Sequence, residues 1–234
     1  MQLYEPESFY TKVNIKTFIN GQICWIVSPY IYEIPQILDV ERNRPEEHEE
    51  IKFILKNVDP DNDFKPSAKR TLPIKYLNLE SKEELLVQKA KKRPAIIISS
   101  GLDIYPDITN LLRQKGKKHL QEDSLFLIPC YGVETHEDRR GFPTEMVSRI
   151  RCLLYRQFFY LPKHSTIINE SIARLDRIQV IVGKHRAAIE PTTLCLTKEI
   201  YSILLSQFIF CITGHEEEEF TALRSLVKET YLPS

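Results

Sequence analysis

Short apolar runs dense in β-branched residues constrain this chain more than any other feature. Pro94–Ser100 (PAIIISS) is almost continuously apolar, the pattern of a strand buried on both faces. Four further runs read as strands: Gly21–Pro29 (GQICWIVSP), Ser124–Tyr131 (SLFLIPCY), Gln157–Leu161 and a long one over Ser171–Val182 (SIARLDRIQVIV). Several short strands with few helices between them predict a mainly β chain with helices, an α+β fold built as a barrel or sandwich. Two segments show helical spacing instead. Thr144–Tyr155 lines up Met146, Ile150, Leu153 and Leu154, with Thr144 as the expected N-cap. Thr197–Thr213 lines up Ile200, Ile203, Leu204 and Phe208 and stops at Gly214. A charged helix is expected to follow over Glu216–Glu229.

The 234 residues are enough to bury a proper core, and 42% hydrophobic with 27% charged content excludes wholesale disorder. Five cysteines (Cys24, Cys130, Cys152, Cys195, Cys211) are scattered among apolar neighbours and never spaced C-x-x-C. They read as small core hydrophobes in a reducing compartment, not as a zinc site or disulfide framework. Met1–Tyr10 carries Glu5 and Glu7 and no apolar core, so it does not read as a signal peptide. No apolar run approaches a bilayer span. A soluble, cytoplasmic protein without a membrane partner is expected.

The neutral total of 32 basic and 32 acidic residues hides an uneven distribution. Ile31–Asp63 holds ten acidic against four basic residues, a balance of −6. Lys89–Glu190 holds 18 basic against 11 acidic, a balance of +7, and the tail from Pro191 is acidic again. Solvated surface explains such runs as readily as a ligand does. A basic middle block is nevertheless where a polyanion would bind. The span Tyr30–Gln88 is acidic and proline-interrupted, with only short apolar pieces at Ile51–Leu55 and Ile74–Leu79. It reads as a small subdomain or insertion.

Four segments, taken in order, resemble the MazF/PemK/Kid family of toxin endoribonucleases. They are Asn20–Pro29 (NGQICWIVSP), Lys92–Ser99 (KRPAIIIS), Leu127–Cys130 (LIPC) and Glu170–Ile181 (ESIARLDRIQVI). Leu194–Gly214 is similar to the family's closing helix. The resemblance implies an SH3-like small β-barrel over 16–30 and 89–214 with a C-terminal closing helix. It leaves 31–88 as a large acidic insertion after the first strand and 215–234 as a helical extension. It further implies a homodimer that cuts single-stranded RNA without metal or other cofactor and is neutralised by an antitoxin.

Cleavage of RNA without metal proceeds by attack of the ribose 2′-hydroxyl on phosphorus, leaving 2′,3′-cyclic phosphate ends. It needs a base, a donor for the leaving oxygen and fixed positive charge. Arg174 and Asp176 lie two apart on the expected long strand, so both side chains leave one face. The resemblance gives this pair, with Arg93 of the Arg-Pro motif, the catalytic roles. It gives Lys92, Tyr131, Arg177, Lys184, His185 and Arg186 the RNA contacts. Two positions depart from the family pattern: Tyr131 stands where the MazF branch has a threonine, and Gln88 where an acidic residue precedes Arg-Pro.

Two functions from different classes follow. One is a metal-independent, toxin-like endoribonuclease using Arg/Asp acid–base chemistry. The other is a catalytically degenerate SH3-like module that binds RNA or a peptide. Retention of Arg93, Arg174 and Asp176 together favours the enzyme; Tyr131, Gln88 and the insertion favour the module.

Overall fold

The computed structural model describes residues 4–16, 18–42, 51–65, 79, 82–100, 106–117, 120, 124–135, 140–164, 167–182 and 188–231. The chain divides into two compact units, Met1–Ser28 with Lys92–Ser234, and Pro29–Lys91. The fold is mixed α+β, and its strand pairings are mostly antiparallel.

In the first unit an eight-stranded sheet is assembled from β1 (Tyr10–Lys12), β2 (Gln22–Pro29), β6 (Ala90–Ser100), β7 (Ser124–Gly132), β8 (Phe158–Leu161), β9 (Ser171–Arg174), β10 (Gln179–Val182) and β11 (Ile189–Leu196). The order is β1-β11-β2-β6-β7-β9-β8, and β10 also pairs with β7. Among the described residues this path does not close on itself.

The central strands explain the near-continuous apolar runs. Ile96 and Ile98 of β6 enter one core cluster, with Ile23 of β2 and Ile128 and Cys130 of β7. Ala95 and Ile97 enter a second, with Cys24 and Ile26 of β2 and Leu125 and Leu127 of β7. Alternate side chains leave opposite faces, so burying both faces requires apolar residues at every position.

Of the helices among the described residues, α1 (Pro6–Phe9), α3 (Thr144–Arg151), α4 (Lys198–Thr213) and α5 (Glu218–Tyr231) supply side chains to the first core, and α2 (Pro106–Gln114) follows β6. The same core takes Tyr4, Phe9 and Tyr10 from the start of the chain and Phe220 from α5, all outside the 16–30 and 89–214 segments. Arg151 lies among three tyrosine rings, 5.2 Å from Tyr4, 5.1 Å from Tyr160 and 5.7 Å from Tyr231. The Tyr4 hydroxyl also donates to the Arg151 carbonyl. Each cation–π contact contributes about 0.5–2 kcal/mol. They tie both ends of the described chain to the end of α3.

Several expectations need correction. The long strand over Ser171–Val182 is two strands, β9 and β10, separated by a turn. Leu175 is drawn into the core there, 1% exposed, and its amide donates to the Gln157 carbonyl. Helix α3 ends at Arg151, not Tyr155, because Leu153 adopts φ 54° with its side chain buried. A left-handed residue cannot continue a right-handed helix. Its N-cap is Pro143 rather than Thr144, which is the first helical residue. Helix α4 begins at Lys198 with Thr197 as its N-cap, and Leu194–Leu196, expected in the closing helix, belong to β11. It ends as expected, with Gly214 at φ 72° donating its amide to the Phe210 carbonyl. All five cysteines are free, and four are buried.

The second unit contains a three-stranded sheet in the order β4-β3-β5, from β3 (Gln36–Arg42), β4 (Ile51–Asn57) and β5 (Leu86–Val87). Gln88 closes its base, donating from Nε2 to the Tyr30 carbonyl at 2.9 Å and the Glu33 carbonyl at 3.2 Å. An acidic side chain has no proton to donate to either carbonyl, which accounts locally for the amide at this position.

Candidate RNA-binding and catalytic site

Strand register brings the candidate residues together. In the β6–β7 pairing Ala95 faces Pro129 and Ile97 faces Leu127. The same register carried two places further sets Arg93 opposite Tyr131. There the Arg93 guanidinium stacks on the Tyr131 ring, 4.3 Å from its centroid. On the other side of β7, Tyr131 is paired with Ile172 of β9. Arg174, two residues on, is therefore a diagonal neighbour, within reach of a long side chain. Its guanidinium lies 5.9 Å from the Tyr131 centroid and 5.1 Å from that of Phe158, which faces Arg174 across the β8–β9 pair.

Asp176 completes the cluster, although not from the strand expected for it. It sits in the turn after β9, where the Arg177 amide donates to the Arg174 carbonyl at 3.0 Å. That turn folds Asp176 back onto Arg174. Nε donates to Oδ1 at 2.8 Å and Nη2 to Oδ2 at 2.6 Å, a two-point contact whose side chains are 19% and 37% exposed. Partial burial works against the charge on Asp176, but the hydrogen bonds and charge of Arg174, with Arg177 adding, hold its carboxyl below the usual carboxylate range. The same pairing raises Arg174.

Four residues singled out in the sequence thus converge: Arg93, Tyr131, Arg174 and Asp176. Arg177 follows them in the turn, half-buried. Lys92 is exposed and forms an ion pair with Glu190 of β11. Lys184, His185 and Arg186 lie outside the described residues.

Three supporting residues have no counterpart in the sequence reading. Phe158 carries Arg174 on its ring and packs edge-on against Phe142, 5.1 Å between centroids. Gln207 of α4, 1% exposed, donates from Nε2 to the Phe158 carbonyl at 2.6 Å and to the Tyr155 carbonyl at 3.0 Å. An amide inside the apolar stripe ILLSQFIF was the available signal, since a buried polar group needs partners. Phe142 is placed by the loop after β7, where its amide donates to the Gly132 carbonyl and its carbonyl accepts from the Glu134 amide, both at 3.0 Å.

Chemically, the arrangement suits an anion. Two guanidinium groups meet on one aromatic ring, and each is a planar, permanently charged donor suited to phosphate oxygens. Compared with known proteins, the chain matches no family profile and no curated sequence.

Proposed function

We propose that this protein binds single-stranded RNA at the Arg93–Tyr131–Arg174–Asp176 cluster and cleaves it, without metal, by attack of the ribose 2′-hydroxyl on the adjacent phosphorus. The observation that carries the reading is the meeting of Arg93 from β6 and Arg174 from β9 on the Tyr131 ring, next to a carboxylate. The guanidinium groups hold the phosphate and offset the charge that grows on it. As phosphate oxygens compete for Arg174, Asp176 loses its hydrogen-bond donors. Its carboxylate then becomes basic enough to take the 2′-hydroxyl proton. In this reading the sheet with α4 corresponds to the SH3-like barrel and closing helix of the MazF/PemK type. The protein acts in the cytoplasm as a toxin-like homodimer with an antitoxin partner.

One observation favours a second reading, a binding module without catalysis. The two-point contact from Arg174 holds the Asp176 carboxyl in its charged, weakly basic form. If RNA does not displace that contact, the cluster binds without cutting. One experiment separates the two. The full-length protein is incubated with a long single-stranded RNA in EDTA, while binding is followed by fluorescence anisotropy. Fragments with 2′,3′-cyclic phosphate ends support the enzyme. Binding without fragments supports the module, and the absence of both removes the site from either role.

A further inference from the structure

The reaction also requires a proton for the leaving 5′ oxygen, and the cluster narrows its source. Asp176, held as a carboxylate by Arg174 before RNA binds, enters the step as the base for the 2′-hydroxyl and has no proton to give as it begins. The Arg93 and Arg174 guanidinium groups do not release protons at any physiological pH. Among the described residues, the proton-bearing group in contact with both guanidinium groups is the phenol of Tyr131. Its hydroxyl has no hydrogen-bond partner among the described residues. Its ring is fixed by the strand pairing of β7 with β9 and by the stacked Arg93.

We propose that Tyr131 is the general acid of the cleavage step, donating its phenolic proton to the 5′ oxygen as that oxygen leaves. The inference rests on the RNA-cleaving reading above and assigns a role that reading left empty. In the step, the 2′ oxygen bonds to phosphorus and the phosphorus–5′ oxygen bond breaks. The phenolic proton goes to the 5′ oxygen, and the 2′-hydroxyl proton goes to Asp176. Solvent then carries a proton from Asp176 back to Tyr131. Negative charge left on the phenol as its proton departs spreads into a ring already stacked against Arg93 and Arg174. Among the described residues, the charged groups facing Tyr131 are Arg93 from β6 and Arg174 from β9, with Asp176 behind Arg174. Ile172 opposite it and Phe158 of β8 carry no charge. A threonine has no aromatic face for this stacking, which gives the tyrosine at this position its own chemical use.

The test uses the full chain, with Tyr131→Phe, which keeps the ring and its stacking and removes only the hydroxyl. Two substrates are compared in EDTA. One is ordinary single-stranded RNA; the other carries sulfur in place of the bridging 5′ oxygen, a leaving group that needs no protonation. On ordinary RNA the variant should lose about a hundredfold in kcat, the general scale for a lost acid. KM and binding should stay unchanged. On the sulfur-bridged RNA it should cleave at close to the rate of the unmodified protein. Replacing Tyr131 by 3,5-difluorotyrosine, a stronger acid, should move the alkaline limb of the pH–rate profile to lower pH. Equal losses on both substrates, or no loss on ordinary RNA, would overturn the assignment while leaving the cleavage reading standing. If the unmodified protein cuts neither substrate, both fall together.

Discussion

Arg174 grips Asp176 with two edges of its guanidinium, at 2.8 and 2.6 Å, while the same guanidinium lies 5.1 Å from the Phe158 ring centroid and 5.9 Å from that of Tyr131. One side chain therefore links the carboxylate to the aromatic floor of the site. Changes at either end of the pair should be felt in the chemistry more than in the fold.

Asp176→Asn and Arg174→Ala should each lower RNA cleavage by at least about a hundredfold, the general scale for a lost acid–base or charge-stabilising group. The pair also has a signature in acid. The Asp176 carboxyl is held low in the folded chain, so its contribution to stability is present above the ordinary carboxylate range and lost as pH falls through the lowered value. Asp176→Asn removes that dependence, so urea midpoints of the variant should decline less steeply in acid. Its partial exposure keeps the effect small and weaker at high salt. Identical acid profiles would show that the pair is broken in solution.

Arg93 should behave as a phosphate contact that is also a stacked plane. Arg93→Ala should weaken RNA binding and reduce the slope of log affinity against log salt by about 0.7, the value for one phosphate contact on a single strand. Arg93→Lys should keep most of that slope yet still bind more weakly, because an ammonium cannot reproduce the planar fork stacked on Tyr131. Anisotropy titrations over a salt series measure both. An unchanged slope in Arg93→Ala would take Arg93 off the phosphate.

Gln207 should matter for stability. Gln207→Leu removes the donor to the Phe158 carbonyl, at a cost of roughly 1–3 kcal/mol for leaving a buried acceptor unpaired, whereas the Tyr155 carbonyl keeps the Phe158 amide at 3.2 Å. Its own Oε1 lacks a partner among the described residues, which offsets part of that loss. A lower urea midpoint with an unchanged slope is expected. A midpoint equal to that of the original protein would show that the Phe158 carbonyl finds another donor.

Replacing residues 31–88 by a short Gly/Ser loop should leave the first unit folded, since both core clusters draw only on residues outside that span. If the acidic insertion competes with RNA for the basic block, the shortened protein should bind RNA more tightly and cut it faster. Tethering gives such a segment an effective concentration in the millimolar range. Part of its charge is already engaged, however. Lys56 pairs with Asp39 and Asp63, and Lys89 pairs with Glu33. A gain of a few-fold is therefore expected. Unchanged or lost activity in a folded, shortened protein would assign the segment a structural or partner-binding role instead.

Local pattern alone determined much of this protein. Runs of β-branched residues marked β2, β6, β7 and β8 because burial on one or both faces demands apolar side chains at known spacing. The stripe of α4 and its glycine stop were legible for the same reason. Where tertiary contacts overrode local pattern, the reading changed. A core demand for Leu175 split one expected strand into two, and one for Leu153 ended α3 early. β11 was hidden because Pro191 lies within it and its pairing with β2 shifts register between Pro191 and Cys195. Arg93, Tyr131, Arg174 and Asp176 could each be picked out in the sequence, but their meeting could not. Arg93 and Tyr131 are brought opposite each other by the β6–β7 register, and Arg174 reaches Tyr131 through the β7–β9 pairing. Both are long-range pairings whose partners local spacing cannot specify.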